Sequence, residues 1–186
     1  MASSYSTDLK LELMVTGEKA GQWGDITNTN LNLLQQAIAG YQEVNIAGSA
    51  QTTTLVMSDA ALSNARNAVI KLTGTITGNQ IVTVPTGIEK TYIVENGTTG
   101  AFTVEFKQAG GTGTTFSTTD KGIKILYANG TNIIDVNSKL NTISLFTLPT
   151  ADGSSGQVIQ TNGSGALSFV TPLSTGKAIA MAIVFG

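Results

Sequence analysis

Lys124-Ile125-Leu126-Tyr127-Ala128-Asn129-Gly130-Thr131-Asn132-Ile133-Ile134-Asp135-Val136 is the stretch on which the fold turns. Two apolar runs flank Asn-Gly, the dipeptide favoured by a type I′ turn because both central residues need positive φ. The segment predicts a hairpin with strands near 122–128 and 132–136. Working back towards the N-terminus, similar short runs stand at about 44–47, 52–57, 68–74, 80–84, 90–95 and 101–107, parted by Gly, Asn and Thr. Residues 59–66 suit a short helical turn, Pro85 ends a strand, and Ala109-Gly110-Gly111-Thr112-Gly113 is too Gly-rich for sheet interior. Strands at this spacing predict a mainly β protein whose centre, 44–137, is an antiparallel β-sandwich or a barrel-like domain.

The N-terminal region reads differently. Leu9, Leu11, Leu13 and Val15 alternate with Lys10, Glu12, Met14 and Thr16, the period of a strand with one buried face. A turn-rich connection with the only tryptophan, Trp23, leads to one helix, expected from about Thr27 to Ala39 with Asp25 or Thr27 as N-cap. Leu31, Leu34, Ile38 and Tyr41 follow a 3-4-3 spacing that Leu33 and Ala37 widen, and Gly40 is placed to end the helix in a left-handed conformation. A helix this short is marginal alone. It packs either on the first strand or, since 3-4 spacing is the coiled-coil repeat, in a short bundle with helices of sister chains. Trp23 reads as a packing anchor over the helix start or the Leu9–Val15 strand.

Beyond 137, the apolar residues Leu140, Ile143, Leu145, Phe146 and Leu148 mark a connector that is tied down. Gly156–Val170 then reads as a small Gly-rich hairpin, which needs a neighbour because it buries too little alone. The apolar run Ala178–Phe185 suits a buried strand or an assembly contact. The division is 1–43, 44–137 and 138–186.

Composition narrows the chemistry. The chain of 186 residues has no His and no Cys. That excludes Ser-His-Asp triads, thiol nucleophiles, disulfides and zinc sites with nitrogen or sulfur ligands. No cofactor, metal or catalytic residue is assigned, and no enzymatic activity is expected. Gly17-Glu18-Lys19 lacks the glycine and hydroxyl spacing of a phosphate loop. Asp25, Asp59, Glu89, Glu95, Glu105, Asp120, Asp135 and Asp152 are the carboxylates a glycosidase would draw on, but nothing in their spacing selects a pair. Three Asn-Gly-Ser/Thr sequons, at Asn96, Asn129 and Asn162, are explained by turn chemistry. A net charge of −2 and a pI near 5.0 argue against a nucleic-acid partner. No run approaches the ~18 apolar residues of a membrane span, so no membrane insertion is expected, and the N-terminus lacks a signal-peptide pattern. Charged residues are only 12% while mean hydropathy is +0.15. Much of the surface is therefore expected to be covered by copies of the same chain.

The segments Tyr5–Leu13, Thr16–Asp25 (Thr-Gly-Glu-Lys-Ala-Gly-Gln-Trp-Gly-Asp), Thr27–Leu31 and Gln36–Tyr41 together resemble the N-terminal module of fibre and other appendage proteins of tailed bacteriophages, especially those of marine bacteria and cyanobacteria. Gly-Gln-Val-Ile-Gln-Thr-Asn-Gly-Ser-Gly-Ala-Leu-Ser-Phe at 156–169 is similar to a repeat of phage tail fibres, and Gly176–Met181 to the ends of such proteins. The resemblance implies a virion structural protein made in the host cytoplasm, an intertwined homotrimer docked on tail, neck or capsid proteins with a β-rich part exposed. It makes Leu9, Leu11, Leu13, Trp23, Leu31, Leu34, Ile38 and Tyr41 the candidate assembly and attachment residues. The short chain fits a short fibre, an adaptor, or a decoration or fibre of the head, and a distal site for host surface glycan is the alternative role.

Overall fold

From the N-terminus the chain forms a two-residue ladder, β1 (Ser4–Tyr5) with β2 (Glu12–Leu13), and then helix α1 (Trp23–Ala39). The computed structural model describes residues 3–137, 142–143, 146–173 and 183–184. They belong to two compact units, Met1–Asn137 and Ser138–Gly186.

In the first unit the chain then alternates between two sheets. Strands β3 (Tyr41–Asn45), β5 (Val69–Thr73) and β7 (Glu89–Asn96) lie side by side in one, and β4 (Gln51–Thr54), β6 (Gln80–Val84) and β8 (Val104–Gln108) in the other. Both sets are parallel. Tyr41 pairs with Val69 and Val69 with Ile93; Gln51 pairs with Gln80 and Gln80 with Val104. The chain thus winds through three stacked coils. The return strands β9 (Gly113–Phe116), β10 (Ile123–Asn129) and β11 (Ile133–Asp135) reverse direction and complete a four-stranded and a five-stranded sheet.

The mainly β architecture with one helix and two core-facing sheets agrees with the sequence. The antiparallel pairing expected for 44–137 does not: within the two central sheets it holds only where β9, β10 and β11 pair. Alternating apolar residues specify which face of a strand is buried, not the direction of its neighbour. Gly113 also begins a strand, against the expectation for its loop, because its Cα packs directly on the Phe106–Lys107 backbone, where a Cβ would come within 2.5 Å of the Phe106 carbonyl oxygen.

Side chains of both sheets meet in one core, including Ile70, Leu72, Val82, Val94, Phe106 and Leu126. Tyr92 and Phe106 join the sheets edge to face, with ring centroids 5.6 Å apart. The coil corners are stapled by buried amides. Gln80 Nε2 donates to the carbonyls of Gly48, Ser49 and Gly78, and Gln108 Nε2 to those of Pro85 and Ile88. These bonds satisfy carbonyls at the corners, among them that of Gly48, which also accepts the Thr77 N–H at 2.8 Å.

All three sequons are turn devices. Asn96 Oδ1 accepts from the Thr98 N–H and hydroxyl, Asn129 Oδ1 from the N–H groups of Thr131 and Asn132, and Asn162 Oδ1 from those of Ser164 and Ala166. The Asn129-Gly130 turn is nevertheless not type I′. Only Gly130 has positive φ, since the Asn129 side chain does the bridging.

The second unit contains two ladders, β12 (Thr142–Ile143) with β13 (Phe146–Thr147) and β14 (Val158–Thr161) with β15 (Leu167–Val170). The 156–170 hairpin is present, and β14 is exposed on both faces. Every buried apolar residue among those described lies between Leu33 and Ile133, so the described residues of this unit form no buried cluster. The expected strand Ala178–Phe185 lies outside the described residues except for Ile183 and Val184, which are exposed and helical in backbone.

Candidate functional site

Helix α1 carries two stripes. The inner one, Ile26, Asn30, Leu33 and Ala37, is buried or half-buried. Asn30 clamps the N-terminal segment, accepting the Glu12 N–H at 3.0 Å and donating to the Glu12 carbonyl at 2.9 Å. The outer stripe is Leu31, Leu34 and Ile38; Tyr41, the fourth residue of the 3-4-3 spacing, lies past the helix end as the first residue of β3. Leu31, Ile38 and Tyr41 are more than half exposed, Ile38 at 77%, and Leu34 is half-buried. The helix meets the first strand through Asn30, a residue polar in sequence, and not through the 3-4-3 stripe.

Other expectations for this region are corrected too. The helix starts a turn earlier than expected, with Gln22 as N-cap and no capping side chain; Asp25 lies in its first turn, and the Thr27 hydroxyl donates to the Trp23 carbonyl. Gly40 is not left-handed (φ −70°): a Cβ there would meet Gln36 O at 2.2 Å, so close approach requires the glycine. Trp23 covers nothing and is 64% exposed. Leu9 and Leu11 are not in a strand. A turn at Lys10 (φ 55°) leaves Leu9 and Leu11 half-buried and Leu13 exposed.

The N-terminal segment is held instead by a residue the sequence did not single out. Arg66, the only arginine, is fully buried in the short 3₁₀ turn Asn64–Arg66. Its Nε donates to Leu9 O at 3.0 Å, Nη1 to Gln36 Oε1 at 3.2 Å and to Ala61 O, and Nη2 to Ser58 O at 2.7 Å. Below it, Lys90 Nζ donates to the Arg66 and Asn67 carbonyls at 2.6 and 3.0 Å and lies 4.4 Å from the Tyr92 ring centroid.

Burial, and then the Arg66 charge, push the Lys90 ammonium down to about 8. In the unfolded chain it keeps its proton to about 10.4. The unfolded state therefore binds the extra proton above pH 8, and stability rises with pH until the unfolded value is reached. Chemical denaturation at pH 7 and 9.5 should show stability increasing by up to about 2 kcal/mol. Lys90→Met should flatten that rise; an unchanged slope in the variant would refute the assignment.

Beside the outer stripe, Asn32, Gln35, Gln36, Ala39, Gly40, Tyr41, Leu62 and Asn67 line an open cleft of about 320 Å³. The Tyr41 hydroxyl donates to Glu43 Oε1 at 2.7 Å, which raises its pKa. Of the carboxylates, Asp120 and Asp135 share Lys124 at 2.9 and 3.2 Å, and the Lys124 ammonium holds the Asp120 carboxyl below its ordinary range. Among the described residues no cluster of three or more acidic side chains stands together. No helix of the described residues is long and apolar enough to cross a membrane. Comparison with protein-family models, with curated proteins and with solved structures gave no significant match.

Proposed function

We propose that this chain is a structural component of a tailed-bacteriophage particle, a short fibre or fibre-attachment protein that works by self-assembly into a homotrimer and by docking on other virion proteins. The observation that carries the reading is the exposed outer stripe of α1. Leu31, Leu34 and Ile38 keep coiled-coil spacing on the side of the helix turned from its own core, and Tyr41 of β3 stands exposed just past the helix end. An apolar seam left in water is destabilising; sister helices remove it. Strands β14 and β15, with no fully buried side chain, fit the same need for neighbours. A capsid decoration or head-fibre protein would differ only in its docking partner.

Light scattering coupled to size exclusion should give a mass near three times 19.2 kDa. Ile38→Asp should yield monomers with unchanged β signal in circular dichroism, because Ile38 contributes little to the protomer's core. A monomeric wild type, or normal incorporation of the variant into particles, would defeat the reading.

The cleft beside Tyr41 favours a second role, recognition of host surface glycan. Amides and an exposed aromatic ring are the groups that bind sugar hydroxyls and pyranose faces. The two roles make opposite demands on Tyr41. Tyr41→Ala that abolishes glycan-array binding but leaves the mass unchanged would favour the second.

A further inference from the structure

Register aligns the side chains that leave the five-stranded sheet on the side away from the core. Tyr41 stands beside Val69, Val69 beside Ile93, and Ile93 beside Ile125. Val136, whose N–H donates to the Ile125 carbonyl at 3.0 Å, completes this apolar row. Thr91, Tyr127 and Ile134 form a row on one side of it, and Glu43, Lys71, Glu95 and Ile123 on the other. Their alternate neighbours, such as Ile70, Tyr92 and Leu126, fill the core. Yet Tyr41, Ile93, Ile123, Ile125, Tyr127 and Val136 remain between 37% and 62% exposed. The outward rows of the opposite sheet are polar by comparison: Thr52, Ile81, Glu105 and Thr115, then Thr54, Thr83 and Lys107, with one apolar side chain between them, although Thr83 is itself buried.

We infer that a second copy of this chain covers the outer face of the five-stranded sheet, which together with the α1 stripe forms one continuous interchain surface; the inference rests on the self-assembly reading above. Area is the first argument. The six exposed side chains present on the order of 500 Å² of surface, the upper end of what a monomer leaves open. With the helix stripe and Trp23 the total is on the order of 900 Å², above the ~800 Å² that each partner gives to a standard interface. Continuity is the second: Tyr41, the first residue of β3, begins the row two residues past the end of α1 and lines the same cleft as the helix residues Asn32, Gln35 and Ala39. Charge is the third. The rows Tyr41 to Val136 and Thr91 to Ile134 hold no charged side chain, and in the flanking row Lys71 pairs with Glu95 at 3.1 Å while Glu43 accepts from the Tyr41 hydroxyl at 2.7 Å. The centre of such a face gives no countercharge to a charged partner, whereas the same apolar rows of a second copy are desolvated at little cost.

The test uses three single substitutions in the full chain. Ile125→Glu should weaken association on the order of a hundredfold, read as a fall in mass on dilution, with the thermal transition of the protomer retained. Because the native chain has no cysteine, Ile125→Cys and Thr52→Cys give clean thiol probes. The first should react with a bulky maleimide at least about tenfold more slowly than the second. Equal reaction rates, or full mass retained by Ile125→Glu while Ile38→Asp dissociates, would overturn the sheet interface and leave the helix reading standing. A wild type that stays monomeric would overturn both. If Ile125→Glu does not fold, the thiol rates decide.

Discussion

Arg66→Met should destabilise the first unit by about 4 kcal/mol, lowering its melting temperature on the order of 10 °C. The guanidinium donates to Leu9 O, Ser58 O, Ala61 O and Gln36 Oε1 from a position without solvent exposure. A thioether of similar length fills the space and donates nothing, so those acceptors stay buried and unpaired. Arg66→Lys should rescue little, since one ammonium cannot reach acceptors that the planar fork meets in three directions. The loss has a local signature too. The segment around Leu9 is tied to the turn Asn64–Arg66 by this side chain, so it should become protease-sensitive before the sheets melt, and hydrogen exchange at Lys10 and Leu11 should accelerate first. With Arg66 gone, the Lys90 ammonium loses a neighbouring positive charge and its pKa should move back up from about 8. A change below about 1 kcal/mol with normal protection at the N-terminus would show that water takes over the four bonds.

How this node escaped the sequence is instructive. A lone Arg after Ser-Asn-Ala carries no periodicity, and nothing local tells a buried arginine from a solvated one. The strands were legible because alternation is a property of the segment itself. Each of the eight expected between 44 and 136 exists, with ends displaced by a few residues. Their partners were not legible, because pairing is a property of segments far apart. A repeated unit would have revealed the coils, but few stacked positions share identity: Gln51 and Gln80 do, as do Thr54 and Thr83, whereas Thr53, Val82 and Phe106 lie in register, as do Val44, Leu72 and Asn96. The available signal was spacing. Two short strands joined by a short turn recur three times, the first step longer than the second, and that recurrence is the mark of stacked coils. At the helix, Leu31, Leu34 and Ile38 share one face while Tyr41 falls on β3, and a stripe does not say whether its own core or a neighbour faces it. Asn30 decided that question through Glu12, a contact across the chain that periodicity cannot express.

The second large effect follows from the coils. Phe106→Ala should cost about 3–5 kcal/mol, a large share of the ~5–15 kcal/mol available to a domain of this kind. Phe106 sits on β8 in the last coil, its ring fully buried and set edge-on to Tyr92 of the facing sheet. Removing it leaves a cavity between the two layers at the coil that β9, β10 and β11 close. Those return strands are antiparallel additions to the stack, held on one side by β8 and on the other by β7. In a stacked architecture each layer is stabilised by its neighbours, so a defect in the terminal coil loosens the closing strands before the first coil. Denaturation followed by hydrogen exchange should therefore show β9 and β11 losing protection ahead of β3 and β4. The adjacent outward residue is the control. Lys107→Ala, one position along the same strand and facing water beside Glu105, should change stability by less than about 0.5 kcal/mol. Equal losses from the two substitutions would mean that β8 does not present Phe106 inward and Lys107 outward, and the two-layer core would have to be abandoned.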